Sequence, residues 1–462
     1  MRLVGGKRRK IQQGYLAFAS GGRGEAPTTG EEGTEPTAAE RETESPTNTS
    51  RLMEAVCSPD NLRKALKQVR GNKGSAGIDG MTVQQLAGHL KGHWPVIRQR
   101  LLEGTYKPQP VKRVEIPKPE GGMRKLGIPT VVDRFIQQAV MQVLQEQWDR
   151  TFSRHSYGFR PGRSAHQAAA SAQQHVTDGY RWVVDIDLEK FFDRVNHDRL
   201  MAAVAERVED KRLLKLIRAF LNAGVMKDGL VSPTEEGTPQ GGPLSPLLSN
   251  LVLDELDRQL EKRGHRFVRY ADDCNVYVRS ERAGRRVMEG LEDFITKKLK
   301  LKVNAAKSAV ARPWERKLLG FTFTRHRQVR RRVAAKALER FARKVRLLTR
   351  RTRGTSVQKV VAELATYLRG WGGYFGHCQT PSVLDDLNGW VRRRLRCYLW
   401  KQWKRGRNRF AELTRRGVDR DLAACAAGSS HGPWRASHRL ALSLALPDAY
   451  WERLGLPRLG VR

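Results

Sequence analysis

Two adjacent carboxylates, Asp272 and Asp273, sit inside an otherwise apolar run, with Phe267-Val268-Arg269-Tyr270-Ala271 before them and Val276-Tyr277-Val278 after. β-Branched and aromatic residues of this kind favour extended chain. Burying two charges there is expensive unless a cation neutralises them. Paired Asp side chains are hard oxygen donors suited to a magnesium ion shared with phosphates. For the pair alone, a hairpin with a solvated Asp-Asp turn is the better reading. A second cluster of the same form, Val183-Val184-Asp185-Ile186-Asp187-Leu188-Glu189-Lys190-Phe191-Phe192-Asp193, changes the balance. Two strand-borne clusters can bring three carboxylates around a pair of magnesium ions. In-line phosphoryl or nucleotidyl transfer needs that arrangement, one ion for the attacking oxygen and one for the leaving oxygen.

The elements that must position these groups are partly legible. Ser58-Pro59-Asp60 predicts a helix start, with Ser as cap, Pro at the first helical position and an acid in the first turn. Leu62, Leu66 and Val69 supply its apolar face. A second helix is expected after Pro129-Thr130, where Phe135, Ala139 and Val143 run beside Ile136, Val140, Leu144 and Trp148 at spacing four. Val111 to Ile116 reads as a strand, with Lys118 to Gly122 as its turn. Trp182 to Ile186 reads as another strand, feeding a helix that begins around Asn196. The elements lack a regular βαβ rhythm, so the expected class is α+β.

The chain has 462 residues, enough for two or three domains with a substantial core. It carries 86 Lys and Arg against 48 Asp and Glu, a net charge of +38, which implies a polyanionic partner. Nucleic acid leads and an anionic membrane surface is second. Residues 330–462 hold 30 of the basic residues and 9 of the acidic ones, an excess of 21, which places a boundary near 325–335. There Leu364, Tyr367, Leu368, Trp371, Tyr374 and Phe375 form one apolar stripe. A second, Leu387 to Trp403, is interleaved with Arg and Lys and holds no acid between Gly389 and Gly406. Basic helices with aromatic residues suit a phosphate backbone. Residues 20–50 have almost no large apolar side chains, so 1–50 is expected to be a disordered extension; Met53 is a candidate start of a shorter product. No apolar run is long enough to span a bilayer, and no secretory leader is legible. The five cysteines show no metal-ligand spacing and fit reduced thiols in a cytoplasmic protein.

An ordered series of motifs over roughly 51–430 resembles the reverse transcriptase/maturase proteins encoded by group II introns. In order they are Gly77-Ile78-Asp79-Gly80; Ile116-Pro117-Lys118-Pro119 with Arg124-Lys125-Leu126-Gly127-Ile128-Pro129; and Tyr157-Gly158-Phe159-Arg160-Pro161-Gly162-Arg163-Ser164. Then follow Asp187 to Asp193, Thr238-Pro239-Gln240-Gly241-Gly242-Pro243-Leu244-Ser245-Pro246, Tyr270-Ala271-Asp272-Asp273 and Leu319-Gly320-Phe321. Tyr367 to Phe375 is similar to the family's maturase, or X, segment. The resemblance implies a right-hand polymerase: fingers and palm over 51–328, a helical thumb and X domain over 329–430, and a short extension over 431–462.

Carried over by motif, the catalytic carboxylates are Asp187, Asp272 and Asp273, holding two Mg2+ ions with the Leu188 carbonyl as a further ligand. The family places an aromatic residue five positions after the metal-binding Asp, and Phe192 fits Asp187 rather than its near neighbours Asp185 or Asp193. Alternation puts Asp185 and Asp187 on one strand face, so geometry alone does not separate them. Phe192 would then pack under the nucleotide sugar and exclude a 2′-hydroxyl. Lys118 and Arg124 are expected over the triphosphate, Gln240 and Gly241 in the nucleotide-facing loop, and Lys307 as a general acid for pyrophosphate. Nucleic-acid contacts are expected from Arg160, Arg163, Trp371, Arg392, Arg393, Arg394, Arg396, Lys401, Lys404 and Arg405.

The expected partners are intron RNA, an RNA template with its DNA primer, deoxynucleoside triphosphates and target DNA. The end of the chain resembles endonuclease-lacking members, because Cys425, His431 and His438 do not form the paired metal-ligand pattern of the family's endonuclease. A primer would then come from elsewhere, for example a nascent strand. The alternatives are a splicing-only maturase, whose sequence would lose the carboxylates or Pro239-Gln240-Gly241, and a reverse transcriptase of a retron, diversity-generating or CRISPR-associated element, against which the X-like segment argues.

Overall fold

The computed structural model describes residues 49–117, 121–227, 230–232, 237 and 241–460. Lys118 and Gln240, and nearly all of the extension 1–50, lie outside the described residues. Ten strands are named in chain order: β1 (Val111–Pro117), β2 (Met123–Ile128), β3 (Trp182–Ile186), β4 (Val225–Lys227), β5 (Leu230–Ser232), β6 (Arg266–Tyr270), β7 (Asp273–Val278), β8 (Ala309–Ala311), β9 (Phe321–Phe323) and β10 (Arg331–Val333). One sheet has the order β2-β1-β4-β5, a second is the pair β10-β9, and a third has the order β6-β7-β3-β8. The third sheet is antiparallel throughout and carries both acidic clusters at one end.

The helix expected after Thr130 runs Val131–Trp148, and the Thr130 hydroxyl accepts from the Asp133 N–H. Phe135, Ile136, Ala139, Val140, Leu144 and Trp148 are all buried, as the two rows at spacing four require. The helix Pro59–Gly71 begins where expected, but the Ser58 side chain makes no cap hydrogen bond, so Pro at the first position carries the start. Among the helices the sequence reading leaves out are Leu86–Leu102, with Pro95 inside it, and Lys211–Leu221.

The largest apolar core joins residues from Leu52 to Leu301 around the third sheet and its helices, among them Ser245–Lys262 and Glu281–Lys297. A separate core runs from Val333 to Leu459 over the helices Val357–Phe375 and Pro381–Gln402. Residues 431–460 are integral to that second core: Ala441, Leu442, Leu446 and Trp451 are fully buried in it, and the Asn388 side chain donates to the Leu459 carbonyl. A small third cluster, including Tyr157, Val183, Val268 and Phe323, packs on the other face of the sheet.

Candidate active site

β6 and β7 form a hairpin whose last ladder pair is Tyr270 with Asp273, leaving Ala271-Asp272 as a two-residue turn. Ala271 has φ 56°, a left-handed conformation that a residue with a Cβ adopts only when its surroundings hold it there. The hold is visible. Arg269, fully buried, donates from Nε and one Nη to the Asp257 carboxylate at 2.7 and 2.6 Å. Its remaining Nη donates to the Ala271 carbonyl at 2.9 Å and to Asn250 Oδ1 at 3.0 Å. Asn250 in turn donates to the Gly158 carbonyl. Gly158 lies directly against the turn, and a Cβ there would collide with the Ala271 backbone nitrogen. The motif glycine is therefore a close-approach residue.

β3 runs antiparallel to β7 with Asp185 across from Asn275 and Ile186 across from Cys274. The ladder ends there, and Asp187 follows directly, close enough for its charge to act on Asp272 and Asp273. The expected carboxylates thus lie near one another at one end of the sheet, one just past β3, one in the turn and one at the start of β7. Asp187 is fixed by the segment after Val303: its N–H donates to Ser308 Oγ at 3.0 Å, and its carbonyl accepts from the Asn304 N–H at 2.8 Å. Lys307 Nζ stands 3.6 Å from Asp187 Oδ2. Hydrogen bonds from Asn304 to Asp187 and from Glu189 to Lys302 flank Leu188, so this pairing does not use the Leu188 carbonyl.

The electrostatics distinguish Asp185 from Asp272 and Asp273. Asp185 is bound by Arg316, whose Nε and Nη2 lie 2.8 and 2.7 Å from Oδ2. Burial pushes the Asp185 carboxyl up and Arg316 pulls it back. Crowding by protein, then repulsion from Asp272, Asp185 and Asp187, pushes Asp273 up to about 7, although the side chain still opens to solvent. Burial also raises Asp272, with Asp187 adding repulsion and Arg124 and Lys307 opposing it. A cluster of hard oxygens that raises its own proton affinity suits a divalent cation. Among the described residues, no three His, Cys, Asp or Glu side chains yet stand at ligating spacing.

The other expected site residues divide. Exposed Arg124 lies on β2, near enough for its charge to favour ionised Asp272. Phe192 is half-buried beside Phe191, their rings 5.3 Å apart, and packs on the main core. Gly237 lies against the Phe192–Asp193 backbone and Gly241, with φ 138°, against the Gly127 carbonyl. The described ends of the Pro/Gly-rich loop therefore touch the short helix Phe191–Arg194 and β2.

The basic residues need correction. Arg160 is buried and bound to Asp149 at 2.8 Å and to the carbonyls of Ser153 and Ser156. Trp371 is buried between Phe341 and Phe375, with ring centroids 4.6 and 4.7 Å away. Arg392 is buried and paired with Asp448 at 2.8 Å. These three are structural in the free protein; for Arg392 the sequence pattern does not reveal that Asp448 and its neighbours cover that side of the helix Pro381–Gln402. Arg163 donates to the Arg154 carbonyl, Arg394 to Thr349, and Arg393 lies 4.0 Å over the Trp434 ring. Arg396 is half-buried, while Lys401, Lys404 and Arg405 are exposed. Sequence reading missed Arg316, Asn304, Ser308 and the Arg269–Asp257 pair. A charge inside an apolar strand was the one signal for Arg269.

An antiparallel sheet presenting three carboxylates, followed by a basic helical unit, defines the class as a template-directed nucleic-acid polymerase. Residues 116–323 match the family model "Reverse transcriptase (RNA-dependent DNA polymerase)" and residues 338–417 match "Group II intron, maturase-specific domain". Over 322 residues the chain is 33% identical to Protein YkfC of Escherichia coli (strain K12), covering 61% of this chain and 84% of that one. It is 38% identical over 210 residues to the Group II intron-encoded protein LtrA of Lactococcus lactis subsp. cremoris, 45% of this chain and 35% of the relative. To the Putative COX1/OXI3 intron 1 protein of Saccharomyces cerevisiae it is 30% identical over 211 residues, 46% and 25% of the two chains. The chain belongs to the group II intron-encoded reverse transcriptase/maturase family, and its catalytic class is RNA-directed DNA polymerase. It matches most of the E. coli relative but only about a third and a quarter of the other two. Reverse transcriptase domains use divalent metal ions. Among the described residues no helix is long and apolar enough to cross a membrane.

Proposed function

We propose that the protein copies an RNA template into DNA at Asp187, Asp272 and Asp273, and binds its intron RNA through the helical unit to assist splicing and mobility. The observation that carries this reading is the convergence of those three carboxylates at one sheet end while Arg316 occupies the fourth, Asp185. Two Mg2+ ions held there, with the Leu188 carbonyl, would activate the primer 3′-hydroxyl and stabilise the leaving pyrophosphate. Phe192 would line the sugar, and Gln240 and Gly241 would face the base pair. Arg124 and Lys118 would neutralise the triphosphate, and Lys307 would deliver a proton to pyrophosphate. Fingers and palm would span 51–328 and the thumb and maturase unit 329–430, its core completed by 431–460, in a cytoplasmic protein. Exposed Lys401, Lys404 and Arg405 would grip RNA, template–primer and target DNA.

None of the three carboxylates is replaced, which disfavours a splicing-only factor. The match at 338–417 disfavours a reverse transcriptase of an unrelated element. The test is primer extension on an RNA template with Asp272→Ala/Asp273→Ala. Extension should vanish while binding to the flanking intron RNA stays at wild-type strength. Full extension by that variant would sink the site assignment.

A further inference from the structure

Arg316 touches two parts of the site that no motif connects. Its guanidinium sits on Asp185 with both Nε and Nη2 within 2.8 Å of one carboxylate oxygen. The same Nη2 donates to the Lys307 backbone carbonyl. Asp185 shares a strand face with Asp187, and its charge is felt by Asp273. Lys307 is the residue whose ammonium reaches Asp187. We infer that Arg316 is a positioning residue of the polymerase centre: it withholds Asp185 from the metal-binding carboxylates and holds the Lys307 backbone so that its ammonium faces Asp187.

Both halves follow from geometry. A carboxylate occupied by a guanidinium through two donors is a poor ligand for a competing cation. Left unpaired beside Asp187 and Asp273, Asp185 would add a fourth carboxylate and offer metal a second, unproductive arrangement. The Lys307 loop has its own internal bonds, from the N–H groups of Lys307 and Ser308 to the Asn304 carbonyl, and those fix its curvature. Arg316 adds a side-chain tie from the Lys307 carbonyl to Asp185, beside the contacts that Asn304, Ser308 and Ala309 make with the same strand end. Lys307 is mostly exposed, so its side chain gains little orientation from packing. A displacement of about 1 Å in such a group costs up to a hundredfold in rate.

The inference rests on the proposed roles of Asp187 and Lys307, and the experiment separates their failure from its own. Arg316→Lys, Arg316→Ala and Arg316→Ala/Asp185→Asn are compared with wild type and with Lys307→Ala. One readout is single-deoxynucleotide addition on an RNA template, with kcat and KM for the nucleotide. The second is Mn2+ binding to the protein without nucleotide, followed by electron paramagnetic resonance. Thermal melts establish that each variant is folded, and Arg316→Lys keeps the test usable if the Ala variant is not. Arg316→Ala should lower kcat about tenfold to a hundredfold with KM little changed, and should alter the Mn2+ binding curve. Arg316→Lys should keep the Mn2+ curve, because a cation still faces Asp185, and lose kcat. The double variant should restore the Mn2+ curve but not kcat, because the Lys307 carbonyl still lacks the Arg316 donor. Complete recovery of kcat in the double variant would overturn the Lys307 half. An unchanged Mn2+ curve in folded Arg316→Ala would overturn the Asp185 half. Wild-type kcat in Lys307→Ala would instead overturn the reading of Lys307 on which the inference stands.

Discussion

Replacing Arg269 by Met separates the stability of the palm from the placement of its catalytic turn. Met fills much of the buried volume but leaves Asp257, fully enclosed, without its two charge-assisted hydrogen bonds of 2.6 and 2.7 Å. Breaking one side of a buried pair costs about 3–5 kcal/mol. For a unit of this size that is a fall in melting temperature of about 6–20 °C. Adding Asp257→Leu removes the stranded charge, along with its repulsion from Asp254 and Glu261. Apolar replacement of a whole buried pair is often neutral or better, so the double variant should return to within about 2 kcal/mol of wild type. Activity should not return with it, because the Ala271 carbonyl has lost its donor and the left-handed turn carrying Asp272 and Asp273 has lost its tether. The assay is chemical denaturation followed by circular dichroism, beside single-nucleotide addition on the same preparations. In the double variant kcat should stay about tenfold or more below wild type. A double variant with wild-type stability and wild-type kcat would refute the claim that Arg269 positions the turn.

Three further outcomes are expected. Asp273, pushed up to about 7, must lose its proton before it can bind metal. The magnesium concentration that half-saturates primer extension should therefore fall about tenfold from pH 6 to pH 8, and a flat profile would exclude Asp273 as a ligand. In the metal-free protein the sign is opposite for folding: a raised carboxyl keeps its proton in the native state, so its stabilising contribution is lost as pH rises from about 4 to about 7. Replacing Lys401, Lys404 and Arg405 by Ala should lower the log–log salt slope of RNA binding by about 2–3, whereas Arg392→Ala should lower the melting temperature and leave the slope alone; filter binding and thermal melts distinguish them. Phe192→Val should reduce the preference for deoxy- over ribonucleotides at least about tenfold in kcat/KM, and an unchanged ratio would reassign Phe192 to the core.

What could be read from the chain was whatever depends on neighbours in sequence. Asp187, Asp272 and Asp273 stood out because carboxylates interrupt apolar strands, and Thr130 and Asn196 because small polar residues precede periodic apolar ones. The Asp-Asp stretch is both a hairpin turn and part of a carboxylate cluster, so the two readings of it were never exclusive. Contacts between distant residues left no trace of this kind. Arg316 and Asp185 are 131 positions apart, and nothing local distinguishes Arg316 from the surrounding basic residues. Trp371 and Arg392 were placed on a nucleic-acid surface because their helices carry excess positive charge, yet both face the core that residues 431–460 complete. The helix Leu86–Leu102 was hidden by its two Gly, two His and one Pro, residues of poor helical propensity that burial of Leu86 and Leu101 overrides.

The site's selectivity among its own acids follows from the strength of each partner rather than from position alone. Asp185 and Asp187 lie on the same strand face, two residues apart, and either could meet a cation. Arg316 holds Asp185 through two donors at 2.8 and 2.7 Å and is anchored on a backbone carbonyl, so exchange for a metal would have to break a network. Lys307 meets Asp187 at 3.6 Å from a side chain that is 60% exposed. A contact of that kind contributes about 0–1 kcal/mol, too little to compete with a divalent ion. On the proposed assignment, the acid with the weak partner is the one available for catalysis, and the acid with the strong partner is the one withheld. That ordering predicts that weakening the Arg316 contact, more than strengthening the Lys307 contact, is what disturbs metal placement.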